Sequence, residues 1–390
     1  MTTAATDQAL EVGASSGPAE IAARSPWQLF FARIREDKVT LVSAIFVVLL
    51  VLIALFAKQI IDLVGAHPPN EQSTKYLDSF GSAAAPSSAH HLYFGTDGLG
   101  RDVFSRTIYG TRVSLEVAFI ATFLSVVIGV TFGILAGYYR GVWDTVLSRI
   151  MDVMLAFPVF LLALGLGAAC SFGKGCAIPG KTAGWTLSGL SILVLIGLVV
   201  GLVVRRRSGM NVTRVDVRSR LIVPAVAIAA GVVLWLVVGH SAAFRITPGL
   251  SVVIFVIVLP SWPYMARIIR GQTLSLRERE FVESARSMGA SDLRIMSRHI
   301  LPNLVAPIIV YTTLLVPTNI LFEAALSFLG VGVQPPTASW GAMISEATEI
   351  FDTAWWYMTF PGLALLLTVL AFNLIGDGLQ DALNPKTSGR

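Results

Sequence analysis

Charge-free apolar runs recur along the chain and predict its main elements. Eight of these runs are about 19 residues or longer, enough for a helix to cross roughly 30 Å of hydrocarbon. They are Val39–Ala57, Val117–Tyr139, Val153–Gly173, Thr182–Val204, Leu221–Phe244, Ile246–Ala266, Ile300–Phe322 and Thr353–Gly376. The pattern predicts an all-α polytopic membrane protein with eight spans. The two runs on either side of Arg245, Leu221–Phe244 and Ile246–Ala266, are separated by the shortest connection.

A ninth charge-free run, Ala324–Ser345, is not predicted to span the membrane. It contains Pro335, Pro336 and several glycines, which disfavour continuous helix. Backbone groups left unpaired in lipid cost several kcal/mol each. We therefore expect a loop with short helical pieces at the membrane surface.

Composition and charge agree with a membrane protein. The chain is 54% hydrophobic and 14% charged, whereas soluble domains have about 25% charged residues. With the N-terminus inside, 21 of the 29 Lys and Arg residues fall on the cytoplasmic side. This bias predicts cytoplasmic N- and C-termini in the plasma or inner membrane. It also explains the net charge of +5 without a nucleic-acid partner.

The segments between and around the spans suggest a division of the chain. Residues 1–25 read as a disordered tail, 26–76 as an N-terminal region with the first span, and 77–110 as an outer loop. Residues 383–390 form a C-terminal tail, and about 166–248 look like an inserted two-span hairpin.

Within the outer loop, an apolar helical stripe leads into the second span: Val103, Phe104, Thr107 and Ile108. That span carries small residues at four-residue spacing for close helix packing: Gly129, Gly133 and Gly137.

The charged segment Phe281–Asn303, FVESARSMGASDLRIMSRHILPN, lies between two apolar runs and is predicted to form two short helices. Ser275 and Glu278 fit a capping box that would start the first helix. Its apolar face is predicted from residues at helical spacing: Phe281, Ala285 and Met288.

The second helix of this segment is predicted from its end signals. Gly289 can adopt the left-handed conformation that ends the first helix. Ser291 can cap the second helix, and Pro302 is expected to end it. The charge bias places this pair of helices in the cytoplasm, where a partner outside the membrane could move the adjoining spans.

Two patterns near the third span bear on possible chemistry. Gly175–Thr182, GCAIPGKT, matches a nucleotide-binding loop, but the motif requires a buried strand before it and a helix after it. A turn between spans is the simpler interpretation, and a self-contained membrane ATPase is the alternative that it leaves open. Cys170 and Cys176 either form a disulfide in an oxidising compartment or remain free thiols. The scattered histidines predict no metal site.

Polar residues within the spans are candidates for a solute pathway, because such residues are costly in a membrane. They are Asn319, Glu323 and Asn373. Glu323 is expected either to meet an ammonium group of a solute or to pair with Arg101 or Arg106.

The charged segment resembles the EAA loop of binding-protein-dependent ABC transporter permeases. The matching residues are Glu283-Ser284-Ala285, Gly289 and His299-Ile300-Leu301-Pro302. Ser284 and His299 depart from the family pattern, which has Ala and Ile there. Three further segments resemble the C-type permease subunit of dipeptide and oligopeptide importers: 94–115, 326–347 and 361–385. The resemblance covers roughly 26–165 and 249–386 and leaves the hairpin at 166–248 outside.

The resemblance implies a type I ABC importer fold with six core spans plus the hairpin, and a transmembrane type-1 domain at 111–382. Residues expected to couple to the ATPases are Glu283, Ser284, Ala285, Arg286, Gly289, Ile300, Leu301 and Pro302. The family partners are a second permease, two cytoplasmic ATPases that hold ATP and Mg, and an extracytoplasmic solute-binding protein. This chain would then be no enzyme and bind no cofactor. Its solutes would be dipeptides or oligopeptides, with nickel chelates or glutathione-like compounds as alternatives.

Overall fold

The computed structural model describes residues 37–78, 81–156, 158–162, 164–165 and 250–383. Its α-helices are α1 (Lys38–Leu55), α2 (Ala57–Val64), α3 (Val103–Tyr139), α4 (Val142–Ala156), α5 (Leu250–Leu276), α6 (Glu280–Ser287), α7 (Asp292–Ile295), α8 (Leu301–Phe328), α9 (Trp340–Ala347) and α10 (Trp355–Leu383). Short 3₁₀ helices occupy Thr74–Tyr76, Ser88–His90 and Thr348–Ile350. The described residues form no named strand, only isolated bridges.

Five predicted spans coincide with helices long and apolar enough to cross a membrane. These helices are Lys38–Leu55, Val103–Tyr139, Val252–Leu276, Asp292–Phe328 and Trp355–Leu383. The predicted hairpin at 166–248 and most of Val153–Gly173 lie outside the described residues, as do the tail at 1–25, residues 384–390, both cysteines and Gly175–Thr182. Residues 153–156 of the third predicted span belong to α4, which begins at Val142, before the predicted start.

Helix α3 begins inside the segment predicted as an outer loop. The Asp102 carboxylate caps it by accepting a hydrogen bond from the Phe104 amide at 3.1 Å. The Ser105 hydroxyl also donates to this carboxylate at 2.7 Å. Burial raises the pKa of the Asp102 carboxyl, and these hydrogen bonds oppose that shift. The predicted apolar stripe from Val103 therefore belongs to the spanning helix itself.

The run Ala324–Ser345, predicted as a loop with short helical pieces, is a loop only at residues 329–339, and both of its ends are helical. Helix α8 ends at Phe328, and Gly330 turns the chain with a φ of 78°. The short helix α9 follows and packs between α8 and α10. The Trp340 indole N–H at its start donates to the Thr107 carbonyl of α3 at 3.1 Å.

Helix α3 lies at the centre of the bundle and packs against α1, α5 and α8. Its closest partner is α5, because three glycines form their shared seam: Gly129, Gly133 and Gly137. A Cβ added at any of them would lie 2.6–2.7 Å from an atom of α5. The predicted small-residue packing face is confirmed.

Candidate functional site

The segment predicted to form two helices does so with shifted boundaries. Helix α6 is followed by Gly289 with a φ of 79°, and Ser291 precedes α7 in an extended conformation. Left-handed geometry is accessible to glycine at little cost. The predicted turn at Gly289 is therefore confirmed.

The predicted start at Ser275 is wrong. Ser275 lies in the last turn of α5, and Arg279 occupies the N-cap position of α6 without a side-chain hydrogen bond. Thr273 is buried against Gly137 of α3. This packing holds the end of α5 in helix, so tertiary contact overrides the local start signal.

The predicted end at Pro302 is also wrong. A π-helical turn at Met296–Ile300 joins α7 to α8, and the Leu301 amide donates to the Met296 carbonyl five residues earlier. Proline lacks an N–H, which is tolerated in the first turn of a helix. Helix therefore continues from Asp292 to Phe328.

The buried face of α6 differs from the predicted stripe. Val282 and Ala285 are buried in a cluster with Ile295, whereas Phe281 and Met288 are exposed. The inner face of α6 thus holds it against the bundle, and its outer face leaves apolar side chains uncovered.

The residues expected to couple to the ATPases also divide into a buried and an exposed group. Ala285 and Ile300 are buried in the cluster beneath α6. The others are exposed: Glu283, Ser284, Arg286, Gly289, Leu301 and Pro302. Leu293, at 72% exposure, extends this exposed surface.

A polar cluster connects the segment Phe281–Asn303 to the end of α3. We call this cluster the joint, and its members are Tyr138, Arg277, Arg286 and Asp292. The Tyr138 hydroxyl donates to the Asp292 carboxylate at 2.7 Å. The Arg286 guanidinium lies 6.0 Å from the centre of the Tyr138 ring, a cation–π contact. Arg277 donates to the Tyr138 carbonyl. Desolvation lowers the pKa of Arg277, and the neighbouring Arg140 and Arg286 charges act in the same direction.

Sequence reasoning missed Tyr138. A tyrosine at the end of a span is typical of a membrane interface, and nothing local connects it to Asp292, 154 residues away. Only the folded chain shows that the segment contacts α3 directly.

Two of the predicted pathway residues are buried between helices. The Asn319 side chain of α8 donates to the Thr122 hydroxyl of α3 at 2.8 Å and accepts from the Ser261 hydroxyl of α5 at 3.0 Å. One amide thereby joins three helices. Asn373 instead lies exposed on α10.

Glu323 has different partners from those predicted. The hydroxyls of Ser114 and Ser327 donate to its carboxylate at 2.7 and 2.8 Å, and its side chain is fully buried. Neither Arg101 nor Arg106 pairs with it, because both arginines have carboxylate partners of their own.

A largely buried polar cluster, which we call the clamp, holds the Val103 end of the bundle: Asp97, Arg101, Arg106, Glu346 and Tyr357, whose hydroxyl donates to Glu346. Arg101 pairs with Asp97 at 2.5 Å and with Glu346 at 2.6 Å. Arg106 lies 3.8 Å from Asp97 and 3.4 Å from Glu346. Burial lowers the pKa of Arg101, but the two carboxylates outweigh it and the pKa is raised. The clamp joins the loop before α3 to α9 and α10.

Metal ligands do not cluster within the described part of the chain, where no group of three or more His, Cys, Asp or Glu residues could hold an ion. The described contacts between helices are made by hydroxyls, amides and ion pairs.

Comparison with known proteins gives concordant matches. The family model described as "Binding-protein-dependent transport system inner membrane component" matches residues 194–389. A second model, "N-terminal TM domain of oligopeptide transport permease C", matches residues 25–86. The chain is 36% identical over 366 residues to the glutathione transport system permease protein GsiD of Escherichia coli O157:H7 and of Shigella boydii serotype 4 (strain Sb227). Each match covers 94% of this chain and 92% of the relative.

A solved structure titled "Inward facing conformations of the MetNI methionine ABC transporter" also aligns with the chain. The TM-score is 0.42 and the sequence identity 16%, over 72% of this chain and 96% of that one. This likeness is too weak to support an argument.

Proposed function

The chain belongs to the family of binding-protein-dependent transport system inner membrane components, the permeases of ABC importers, and we propose that the solute it helps to import is a small peptide or a glutathione-like tripeptide. Its relatives named as glutathione transport permeases support the second choice. The model named for an oligopeptide permease supports the first. Glutathione is itself a tripeptide, so both belong to one chemical class.

The arrangement of α6 and α7 supports a role in coupling. One side of this pair is buried against α3 and α8, and the other exposes apolar side chains beside charges: Phe281, Met288 and Leu293. Exposed apolar groups bordered by polar ones are typical of protein interaction sites. We propose that a cytoplasmic ATPase binds this surface and moves α8 and the joint.

The remaining parts of the importer are separate chains in this proposal. A second permease completes the pathway, two ATPases hold ATP and Mg, and an extracytoplasmic protein delivers the solute. This chain then has no catalytic group and binds no cofactor. Such a machine alternates between two states that its ligands favour differently.

Uptake by whole cells tests the solute. A strain lacking this chain should lose uptake of labelled trialanine, labelled glutathione or both, and the intact gene should restore it. The same cells given a nickel–histidine chelate test the family's other solute class. Restoration of nickel uptake alone would refute the proposal.

A pair of variants tests the coupling surface. Met288→Asp places a charge at an 80% exposed position directly after α6, and Leu63→Asp does so at an 87% exposed position on α2. Met288→Asp should weaken co-purification of the ATPases and lower uptake, because apolar contacts at the centre of an interface carry much of its affinity. Leu63→Asp should leave ATPase binding unchanged. Equal ATPase recovery with Met288→Asp and the unmodified chain would contradict the coupling role.

A further inference from the structure

A cavity of about 350 Å³ lies between α4, α5 and α8. Residues of these helices line it, among them Pro260, Ser261, Tyr264, Tyr311, Thr318 and Phe322. Pockets that hold small molecules have volumes of about 300–1,000 Å³ and are mostly apolar with a few placed polar groups. The cavity fits that description at its lower end, which suits a solute of two or three residues.

Hydroxyl groups distinguish this surface from the helix faces that lipid would cover. Tyr264 is 57% exposed near the middle of the span Val252–Leu276, and Tyr311 lies well inside the span Asp292–Phe328. Neither hydroxyl forms a hydrogen bond with a described residue. Tyrosine at lipid-facing positions is enriched near the membrane interfaces, not at mid-span.

The exposed face of α10 provides the contrast. Its exposed large residues within the span are all leucines, apart from Trp355 at the end: Leu363, Leu366, Leu367 and Leu370. Leu366 is 60% exposed, as much as Tyr264. Similar exposure with different polarity distinguishes the tyrosine-bearing wall of the cavity from the leucine face of α10.

Charge is absent from the cavity wall. None of the described lining residues is Asp, Glu, Lys or Arg. The side chain of the nearby Asn319 already forms hydrogen bonds with Thr122 and Ser261. The wall can therefore bind a solute through aromatic faces and hydroxyl hydrogen bonds but supplies no ion pair. A peptide with its own paired terminal charges suits such a wall.

We propose that the wall formed by Tyr264, Tyr311 and Thr318 is the surface of this chain that a di- or tripeptide contacts during import. The inference rests on the proposed function and adds to it the place of contact. The two tyrosine hydroxyls hydrogen-bond the peptide backbone, and the apolar lining accommodates its side chains.

Thiol accessibility tests the proposal in the complete importer, starting from a variant with Cys170→Ser and Cys176→Ser. Thr318→Cys is compared with Thr131→Cys, a matched position on α3. Both threonines are exposed, and both hydroxyls donate to the carbonyl four residues earlier, that of Leu314 and Val127 respectively. A membrane-impermeant cationic methanethiosulfonate should modify Thr318→Cys roughly tenfold faster or more, because the thiolate is the reacting form and requires water.

Protection by solute completes this test. Trialanine and S-methylglutathione contain no thiol, and whichever of them is imported should slow modification of Thr318→Cys. Modification as slow as that of Thr131→Cys, or no protection by an imported peptide, would overturn the inference while leaving the proposed function intact. If the unmodified importer takes up neither peptide, the proposed function fails and the inference fails with it.

Tyr264→Phe and Tyr311→Phe provide a measurement that does not need the cysteine-free variant. Each removes one hydroxyl and keeps the ring, so the complex should assemble normally. Each should raise the KM for peptide uptake by roughly two- to tenfold with little change in maximal rate, as expected for loss of one hydrogen bond. Tyr139→Phe, at the end of α3, should leave KM unchanged. An unchanged KM in both cavity variants would also overturn the inference.

Discussion

The two ends of α3 are held in different ways. At the Val103 end, the clamp pairs arginines and carboxylates that are largely buried, with Asp97 and Arg106 each 1% exposed. At the Tyr139 end, the contacts are polar but reach solvent, and the Arg140–Glu278 pair beside the joint is 48% and 58% exposed. A buried charge cannot leave its partner without a large cost, whereas an exposed one can exchange its partner for water. The clamp therefore anchors one end of α3 through largely buried charges, whereas the other end also depends on a solvent-exposed ion pair.

The largest effect is expected from breaking the clamp. Asp97→Asn removes the charge that faces both Arg101 and Arg106. Breaking a buried pair costs about 3–5 kcal/mol, so the detergent-solubilised protein should lose its folded state at a clearly lower temperature. Asp352→Asn, at an exposed position, is the control and should change stability by less than about 0.5 kcal/mol. Similar melting of both variants would mean that the clamp does not fix this end.

The second-largest loss of stability is expected from disturbing the glycine seam between α3 and α5. Gly133→Ala places a Cβ 2.7 Å from the Ala266 carbonyl oxygen of α5. Overpacking of this kind costs about 1–3 kcal/mol. Gly271→Ala on α5 meets nothing within 4 Å and is the matched control. Thermal unfolding of the two variants should separate them, and equal stability would show that the seam can widen freely.

Disrupting the joint is expected to lower stability less than disrupting the clamp or the seam. It should, however, impair coupling specifically. Tyr138→Phe removes the hydrogen bond to Asp292 and keeps the ring beside Arg286. The loss should be about 0.5–1.5 kcal/mol. If the joint transmits motion, solute uptake per ATP hydrolysed should fall while the ATPases remain bound. Tyr139→Phe is the neighbouring control, and an identical uptake ratio in the two variants would contradict a coupling role.

The smallest effect is expected from the exposed pair beside the joint. Arg140→Ala removes the contact with Glu278, and exposed pairs contribute about 0–1 kcal/mol. The effect should shrink further as salt is added, which unfolding at low and high ionic strength would measure. Destabilisation as large as that of Asp97→Asn would erase the distinction between the two ends.

Local features of the fold could be predicted from the sequence. Apolar runs located the five spans within the described residues, and Gly289 located the turn between α6 and α7. Each depends on residues close together in the chain. The boundaries at Ser275 and Pro302 failed because contacts with α3 and a π-helical turn altered the local outcome.

The partners of charged residues could not be predicted in this way. Arg101 and Glu346 are 245 residues apart, and one sequence gives no signal that joins them. Glu323 was expected to meet an ammonium group of a solute or to pair with Arg101 or Arg106. Its hydroxyl partner Ser114 is 209 residues distant and is an ordinary residue of a span, so the sequence gives no sign of this contact. The candidate site was therefore predictable as a list of polar positions but not as a set of contacts.

The widened turn at Met296–Ile300 has a mechanical consequence. A flexible linker there would absorb a push, whereas an unbroken helix carries torque along its axis. Asp292 and Asn319 belong to one such rod, and at 1.5 Å per residue they lie roughly 40 Å apart. Rotation imposed near Asp292 must therefore either turn the Asn319 amide away from Thr122 and Ser261 or bend the rod at one of its three prolines, Pro302, Pro307 and Pro317.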